Sequence, residues 1–266
     1  SYWFTIESIY IGLFLYFLAL IGFWCSLVFY NSYLPEIAYP NQQDKISAKG
    51  YSMGYIGSVI LLLFNLAMVM YPNFFGIDGS GNDASIKAMK FSFITVGAWW
   101  LIFSLIPFYY LPSKKPRNKI SKDILMKGFK ELKFVWIEIK LNIKLKQFLF
   151  AFFVYSCALQ TVMLVATYFG EEEIQWTNQS EKTIGLILSI LLIQIVAILG
   201  AFLAAKSSSR YGNIKTLIVI NLIWGVLCLV AFFIKTPIQF YFVAAFVGLV
   251  MGALQPLSRS TFSKFM

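Results

Sequence analysis

The sequence contains no histidine, and its charged residues make up only 13% of the chain. Without histidine, imidazole acid–base catalysis, histidine zinc sites and histidine proton relays are excluded within these 266 residues. The three cysteines, Cys25, Cys157 and Cys228, all lie in apolar stretches, where we expect small core residues and no disulfide. We therefore expect no metal site, no cofactor and no enzymatic activity.

Long uncharged stretches are abundant instead, and hydrophobic residues make up 59% of the chain. A helix needs about 20 mostly apolar residues to cross a hydrocarbon core roughly 30 Å thick. Seven stretches are long enough, namely 8–35, 50–77, 91–113, 147–170, 183–205, 216–234 and 236–258. The sequence therefore predicts an all-α integral membrane protein with seven transmembrane helices.

Polar groups inside these stretches are neutral. No aspartate or glutamate lies within the trimmed spans, which excludes an intramembrane aspartyl protease, and no glycine-rich carbonyl loop of the potassium-filter kind is present. Four amides remain: Gln160, Gln194, Asn65 and Asn221. Amides in lipid must face protein or water, so each either bonds a neighbouring helix or lines a cavity for a neutral or zwitterionic solute.

Lysine and arginine are distributed unequally between the loops. The segments 31–50, 112–146, 206–215 and 259–266 share one side of the membrane and hold 18 of the 22 basic residues. Basic loops are retained in the cytoplasm, so the first span runs inward and the acidic segment 171–181 lies outside. The net charge of +10 follows from this topology and does not indicate a nucleic-acid partner.

This orientation can be tested with reporter fusions. Because the basic residues segregate, a reporter fused after Asn118 should stay in the cytoplasm and one fused after Asn178 should be exported. Activity of paired alkaline phosphatase and fluorescent-protein fusions measures both locations. The reverse labelling would overturn the orientation.

The segment 112–146 carries 11 of the basic residues. Ile124, Leu132, Trp136, Ile139 and Ile143 recur in it at helical spacing among lysines, which predicts a basic amphipathic helix against anionic lipid head groups. A solvated linker is the alternative interpretation.

The segment FYNSYLPEIA, 29–38, ends the first uncharged stretch. Asn31 can satisfy free backbone groups before Pro35 blocks continuation of the helix, so a helix stop is the favoured interpretation. A cytoplasmic gate formed by Asn31 and Glu36 is the functional alternative. Ser47 is positioned to cap the next helix.

Small residues form stripes on three of the predicted helices. Gly50, Gly54 and Gly57 share one face, which permits close helix contact. Similar stripes, with a spacing of four residues, occur at Ala197, Ala201 and Ala205, and at Ala244, Gly248 and Gly252. Such stripes are typical of packed membrane bundles and of the moving contacts of transporters.

Three segments carry a family resemblance. FYNSYLPEIA, DKISAKGYSMGYIGS at 44–58, and QPLSRS at 255–260, which contains Gln255 and Arg259, resemble signature segments of the vacuolar effluxer family related to autophagy. Bacterial members of that family are major facilitator transporters. The stretch 200–217 resembles the superfamily's loop motif: Gly200, Arg210 and Gly212 remain, but no acid stands near Ala204 or Ala205.

The resemblance implies a major facilitator fold of twelve helices in two six-helix halves, of which this chain would hold helices four to ten. It places 1–111 in the first half, 112–146 in the cytoplasmic linker and 147–266 in the second half. It also implies a monomeric secondary transporter in a bacterial cytoplasmic (inner) membrane that exports amino acids or similar metabolites by alternating access, with Gln160 on cavity-lining helix seven. A seven-helix receptor or sensor is the alternative.

Overall fold

The computed structural model describes residues 8–79, 82–111 and 124–265. Within these ranges the regular structure is entirely helical, and it comprises nine α-helices and a 3₁₀ turn over Pro72–Phe75. The helices are α1 (Ile9–Ser32), α2 (Leu34–Ile37), α3 (Gln43–Met70), α4 (Asn82–Tyr110), α5 (Ile124–Leu141), α6 (Ile143–Glu172), α7 (Gln179–Tyr211), α8 (Asn213–Ala231) and α9 (Pro237–Ser263).

Seven helical segments are long and apolar enough to cross a membrane, which confirms the prediction of seven spans. They are Ile9–Ile37, Gln43–Met70, Asp83–Tyr110, Ile143–Glu172, Gln179–Tyr211, Asn213–Ala231 and Pro237–Ser263. Their outer surfaces carry many exposed leucine, isoleucine and phenylalanine side chains, as expected for helices whose solvent is lipid.

The predicted helix stop at the end of the first span has the expected place, because α1 ends at Ser32, but Pro35 is not its cause. After a break at Tyr33, Pro35 lies in the first turn of the short helix α2, where a missing N–H is tolerated. The predicted cap at the start of the second span is wrong. Ser47 does not cap α3, because that helix already begins at Gln43. The Ser47 hydroxyl instead donates a 2.8 Å hydrogen bond to the carbonyl oxygen of Pro256.

The chain forms two compact units. One comprises the part up to Leu20 together with Phe64–Phe150, and the other comprises Ile21–Leu63 together with the part from Ala151 onward. These units do not follow the predicted division at 112–146, and the assignment of 1–111 and 147–266 to two transporter halves stays a prediction.

The second unit is built around close contact between α7 and α9. A Cβ atom added to Gly248 would lie 2.5 Å from the carbonyl oxygen of Ile193, and one added to Gly252 would clash with that of Ala197. The two pairs have the same difference in residue number, so the helices run parallel. Gly200 faces Leu249 in the same way. The predicted close packing of the small-residue stripes on α7 and α9 is confirmed. At the end of the α7 stripe, however, the buried residue is Ala204 and not Ala205.

The predicted stripe on α3 behaves differently. Among the residues that the structure describes, none has an atom within 4 Å of a Cβ built at Gly54, so they form no close helix contact there. Gly50 does adjoin another side chain, because a Cβ at this position would lie 2.7 Å from the hydroxyl oxygen of Tyr30. Gly57 is half-buried. Each of the three cysteines is exposed, so the prediction that they are core residues is wrong.

Candidate functional site

Asp44 lies in the first turn of α3 and is the only acidic side chain buried among the described residues, with 9% of its surface exposed. Its carboxylate accepts hydrogen bonds of 2.8 Å from the Ser208 hydroxyl, 2.8 Å from the Asn213 amide and 2.7 Å from the Lys264 ammonium. The partners belong to the last turn of α7, the first residue of α8 and the residue after α9. One carboxylate thus ties α3 to three helix ends in the second unit.

Further hydrogen bonds connect the partners with each other. The Asn213 amide also donates to the Thr261 hydroxyl at 3.0 Å, and the Lys264 ammonium donates to the Asn213 carbonyl oxygen at 3.0 Å. We call Asp44, Ser208, Asn213, Thr261 and Lys264 the Asp44 cluster. A buried ion pair is stable only when the other hydrogen-bond donors and acceptors of its two side chains also have partners, and this network provides them.

The turn between α7 and α8 positions two members of the cluster. Gly212 has φ +87°, a backbone conformation that side-chain-bearing residues rarely adopt, so α7 can end and α8 begin within one residue. The reversal brings Ser208 and Asn213 to the same carboxylate. The positions of Gly200 and Gly212 in the loop motif thus have local structural reasons, whereas Arg210 is exposed and stacks 5.4 Å from the ring of Tyr211.

The Asp44 cluster also brings a carboxylate to the loop motif, which has no acid of its own. The sequence has no carboxylate near Ala204 or Ala205, but Asp44 arrives from α3 and binds Ser208, one helical turn beyond Ala204. At this loop Asp44 bonds only the neutral side chains of Ser208 and Asn213, and its charge partner, Lys264, lies after α9.

Arg259 makes a second polar contact among the ends of α1, α3 and α9. Its guanidinium lies 4.0 Å from the centre of the Tyr30 ring and donates a 2.9 Å hydrogen bond to the Tyr30 carbonyl oxygen. Gly50 leaves room for the Tyr30 hydroxyl beside the guanidinium. One turn earlier on α9, Gln255 accepts a 3.1 Å hydrogen bond from the Tyr55 hydroxyl. Gln255 and Arg259 therefore contact helices far away in the sequence.

Asn31 and Glu36 take no part in the Asp44 cluster. The carbonyl oxygen of the Asn31 side chain is buried and has no hydrogen-bond partner within the described ranges. Glu36 is exposed in α2. A gate formed by this pair stays a prediction.

The four intramembrane amides have separate environments. Asn65, in the first unit, accepts a 2.6 Å hydrogen bond from the Thr95 hydroxyl. In the second unit, Asn221 donates to the carbonyl of Leu217 in its own helix, at 2.9 Å. The Gln194 side-chain oxygen is buried without a partner, and the Gln160 side chain is exposed without one, as judged from the described part of the chain. Their role in solute binding stays a prediction.

The other end of the second unit has a different character. Trp176, in the loop between α6 and α7, packs with Phe240 and Tyr241 and donates a 2.7 Å hydrogen bond to the carbonyl oxygen of Gly170. Nearby, Lys235 donates a 2.8 Å hydrogen bond to Glu173, which holds the pKa of that carboxyl below its usual value. Both side chains of this ion pair are exposed, so it stabilises the fold little.

Sequence reasoning missed Asp44 and Lys264 as site residues. Two features could have indicated Asp44: it is an acid in the first turn of a span, and the loop motif at 200–217 lacks an acid of its own. Among the residues that the structure describes, no group of three or more His, Cys, Asp or Glu side chains could hold a metal ion.

Comparison with known proteins identifies the family of the chain. The family described as "Vacuole effluxer Atg22 like" matches residues 1–266. An uncharacterized MFS-type transporter, YxiO, of Bacillus subtilis is 29% identical over 252 residues, which are 94% of this chain and 56% of the relative. Autophagy-related protein 22 of Saccharomyces cerevisiae is 26% identical over 253 residues, 82% of this chain and 45% of the relative.

A third relative, autophagy-related protein 22 of Yarrowia lipolytica, is 22% identical over 255 residues, 84% of this chain and 40% of that protein. The chain thus spans about half the length of the curated relatives it matches. No solved structure matches it significantly. The MFS-type relative supports the predicted major facilitator fold. Since the family match extends over every residue, the chain belongs to the Atg22-like vacuole effluxer family.

Proposed function

We propose that the protein is a secondary active transporter that moves a small solute by alternating access. The family membership and the MFS-type relative support this proposal and disfavour a seven-helix receptor or sensor. The seven apolar spans supply the transmembrane scaffold.

The observation that carries the mechanism is the Asp44 cluster. Its hydrogen bonds hold the first turn of α3 against the ends of α7, α8 and α9. If a path opens between α3 and these helices, the bonds to Asp44 must break, and they must re-form when it closes. The cluster is therefore suited to act as a latch that stabilises the state in which this end is closed. A ligand or ion gradient that favours the open state need only offset the free energy of this local polar network.

Amino acids or comparably small metabolites are the proposed solutes, and efflux is the proposed direction. The family description supports efflux. Neutral amides in the spans, with no carboxylate in their apolar centres, suit a neutral or zwitterionic solute that is recognised by hydrogen bonds. The positive-inside distribution supports a cytoplasmic location of the Asp44 cluster, and the Bacillus relative supports a bacterial cytoplasmic membrane.

Transport by the full-length protein in vesicles tests the solute class. Proteoliposomes loaded with individual labelled amino acids should release at least one of them faster than vesicles that lack the protein. If none is released while the latch experiment in the Discussion shows alternation, the amino-acid proposal is wrong and alternating access stands.

Gln160 provides a residue-level test. Its exposed, unpartnered amide can donate and accept hydrogen bonds, and loss of one such bond typically costs about 0.5 to 1.5 kcal/mol. Gln160→Leu should therefore reduce transport severalfold at unchanged membrane abundance. Gln160→Glu should make transport depend on pH, because poor solvation at the depth of the bilayer core raises the pKa of a carboxylic acid towards neutrality.

The control for Gln160 is Asn221→Leu, since the Asn221 amide already bonds its own helix. Normal transport with poor expression of Gln160→Leu would show that the residue is a structural contact. Normal transport and normal expression would remove Gln160 from the solute site altogether.

A further inference from the structure

Helix α5, Ile124–Leu141, presents an apolar face that is exposed at three of its four residues and half-buried at Ile139. Phe129, Leu132, Trp136 and Ile139 recur three or four residues apart and so lie on one side of the helix. Phe129 is 73% exposed, Leu132 is 71% exposed and Trp136 is 60% exposed. Three neighbouring side chains of this size would not remain in water on a solvated linker.

One edge of this face is basic. Lys133 and Lys140 lie on the edge next to Phe129 and Trp136, and the Lys140 ammonium lies 5.6 Å from the centre of the Trp136 ring. Lys130, Glu131 and Glu138 lie away from the apolar face, on the other side of the helix.

The chain places α5 at the boundary of the membrane. Asn142 alone separates it from the span Ile143–Glu172. The Asn142 side chain accepts a 3.1 Å hydrogen bond from the Leu145 N–H, as an N-cap does, so α6 begins as a new helix after a break. Such a break allows α5 to leave the axis of α6, and Lys144 and Lys146 add positive charge at the same level.

We propose that α5 lies in the head-group region of the bilayer, with its apolar face on the acyl chains and the Lys133–Lys140 edge bound to phosphates of anionic lipids. Charge complementarity selects this occupant, since the edge next to the aromatic side chains is cationic and acidic phospholipids are anionic. Trp136 suits that depth because its ring is amphipathic. Met126, Phe134, Ile137 and Leu141 lie outside the face, so contact with a second protein is the competing outcome.

Spin-label accessibility in the full-length protein tests the position of α5. Single cysteines replace residues 126–141 in turn, with Cys25, Cys157 and Cys228 changed to alanine, in vesicles of phosphatidylcholine with phosphatidylglycerol. Labels at Phe129, Leu132, Trp136 and Ile139 should be more accessible to oxygen than to a water-soluble nickel complex, because oxygen concentrates in lipid. Labels at Lys130 and Glu138 should show the reverse preference.

Each alternative has its own pattern. Low accessibility to both reagents on the apolar face would show that protein covers it, and high accessibility to the nickel complex at every position would show a solvated helix. Either pattern overturns the proposal. The proposal is supported if oxygen accessibility rises where accessibility to the nickel complex falls, and both vary along 126–141 with the period of a helix.

A matched pair of double variants tests the lipid head groups. Lys133→Gln with Lys140→Gln should lower the oxygen preference of a label at Leu132, since each lysine near an anionic surface changes partitioning by about fivefold. Lys127→Gln with Lys130→Gln makes the same charge change away from the edge and should have a smaller effect. The difference should vanish in phosphatidylcholine alone. Equal effects of the two variants, or persistence without anionic lipid, would overturn the assignment of this edge.

Discussion

Replacing Gly252 with valine should eliminate most of the folded protein. A Cβ at this position would clash with the carbonyl oxygen of Ala197 and lie 2.5 Å from its Cα. These are backbone atoms of a residue with 0% exposure, so no flexible side chain can move aside. Overpacking usually costs about 1 to 3 kcal/mol, and we expect the upper end or beyond because α7 and α9 would have to separate.

Monodisperse yield in mild detergent and the midpoint of thermal unfolding measure this effect. Gly225→Val is the matched control: Gly225 lies in the span α8, and no atom of the described residues is within 4 Å of a Cβ built there. The control should keep its yield. Equal behaviour of the two variants would show that α7 and α9 are not in close contact.

The contrast between the α9 and α3 stripes shows how far sequence patterns extend. Both have small residues at helical spacing, and this local property was readable in each. On α9 the partner is a second small-residue stripe, on α7, and the two backbones approach each other. On α3, Gly54 meets no atom of the described chain. Spacing reveals a face that permits contact, but which helix covers that face depends on tertiary arrangement.

The seven spans were predictable because their main determinant is local. A long uncharged stretch in lipid must satisfy its backbone within itself, so length and apolar composition were enough. Helix ends were less predictable, as Ser47 shows. A serine near the start of a span suggests an N-cap, but α3 starts a turn earlier and the hydroxyl bonds the Pro256 carbonyl instead. That carbonyl lies more than 200 residues away in sequence.

The Asp44 cluster could not be assembled from the sequence for the same reason. Asp44 is separated from Ser208 by 164 residues and from Lys264 by 220. Its position in the first turn of α3 is locally favourable, because a carboxylate there complements the helix dipole. The position of Asp44 near a helix end was therefore a sufficient reason for an acid there, and no pattern in the sequence indicated a partner. Its partners are identified only by the position of α3 beside α7 and α9.

If the Asp44 cluster is a latch, weakening it should expose this end of the second unit. Removing one member of a buried ion pair leaves the other charge uncompensated, at about 3 to 5 kcal/mol when both groups are fully buried. The Lys264 side chain is 29% exposed and can bind water, so a smaller shift of about 1.4 kcal/mol, tenfold in population, is expected for Asp44→Asn.

Alkylation of a cysteine at Ser260 measures that population. Ser260 lies next to Asp44 on α9 and has 0% exposure. In inside-out membrane vesicles, Ser260→Cys should therefore react with a membrane-impermeant maleimide only when this end opens. In a background with Cys25, Cys157 and Cys228 changed to alanine, Asp44→Asn should raise the reaction rate about tenfold.

The matched control is Glu173→Gln, which removes a carboxylate from the exposed ion pair with Lys235 at the other end. This change should leave alkylation at position 260 unaffected, because exposed pairs contribute little and the pair lies far from the cluster. Thermal unfolding of each variant separates opening from general loss of structure: a latch variant should alkylate faster while keeping a cooperative transition. An unchanged alkylation rate in Asp44→Asn would show that the cluster only stabilises the helix ends, and the latch mechanism would be wrong. A rise that disappears when a transported solute is added would instead link the cluster to the transport cycle, because only a ligand with different affinity for the two states can shift their balance.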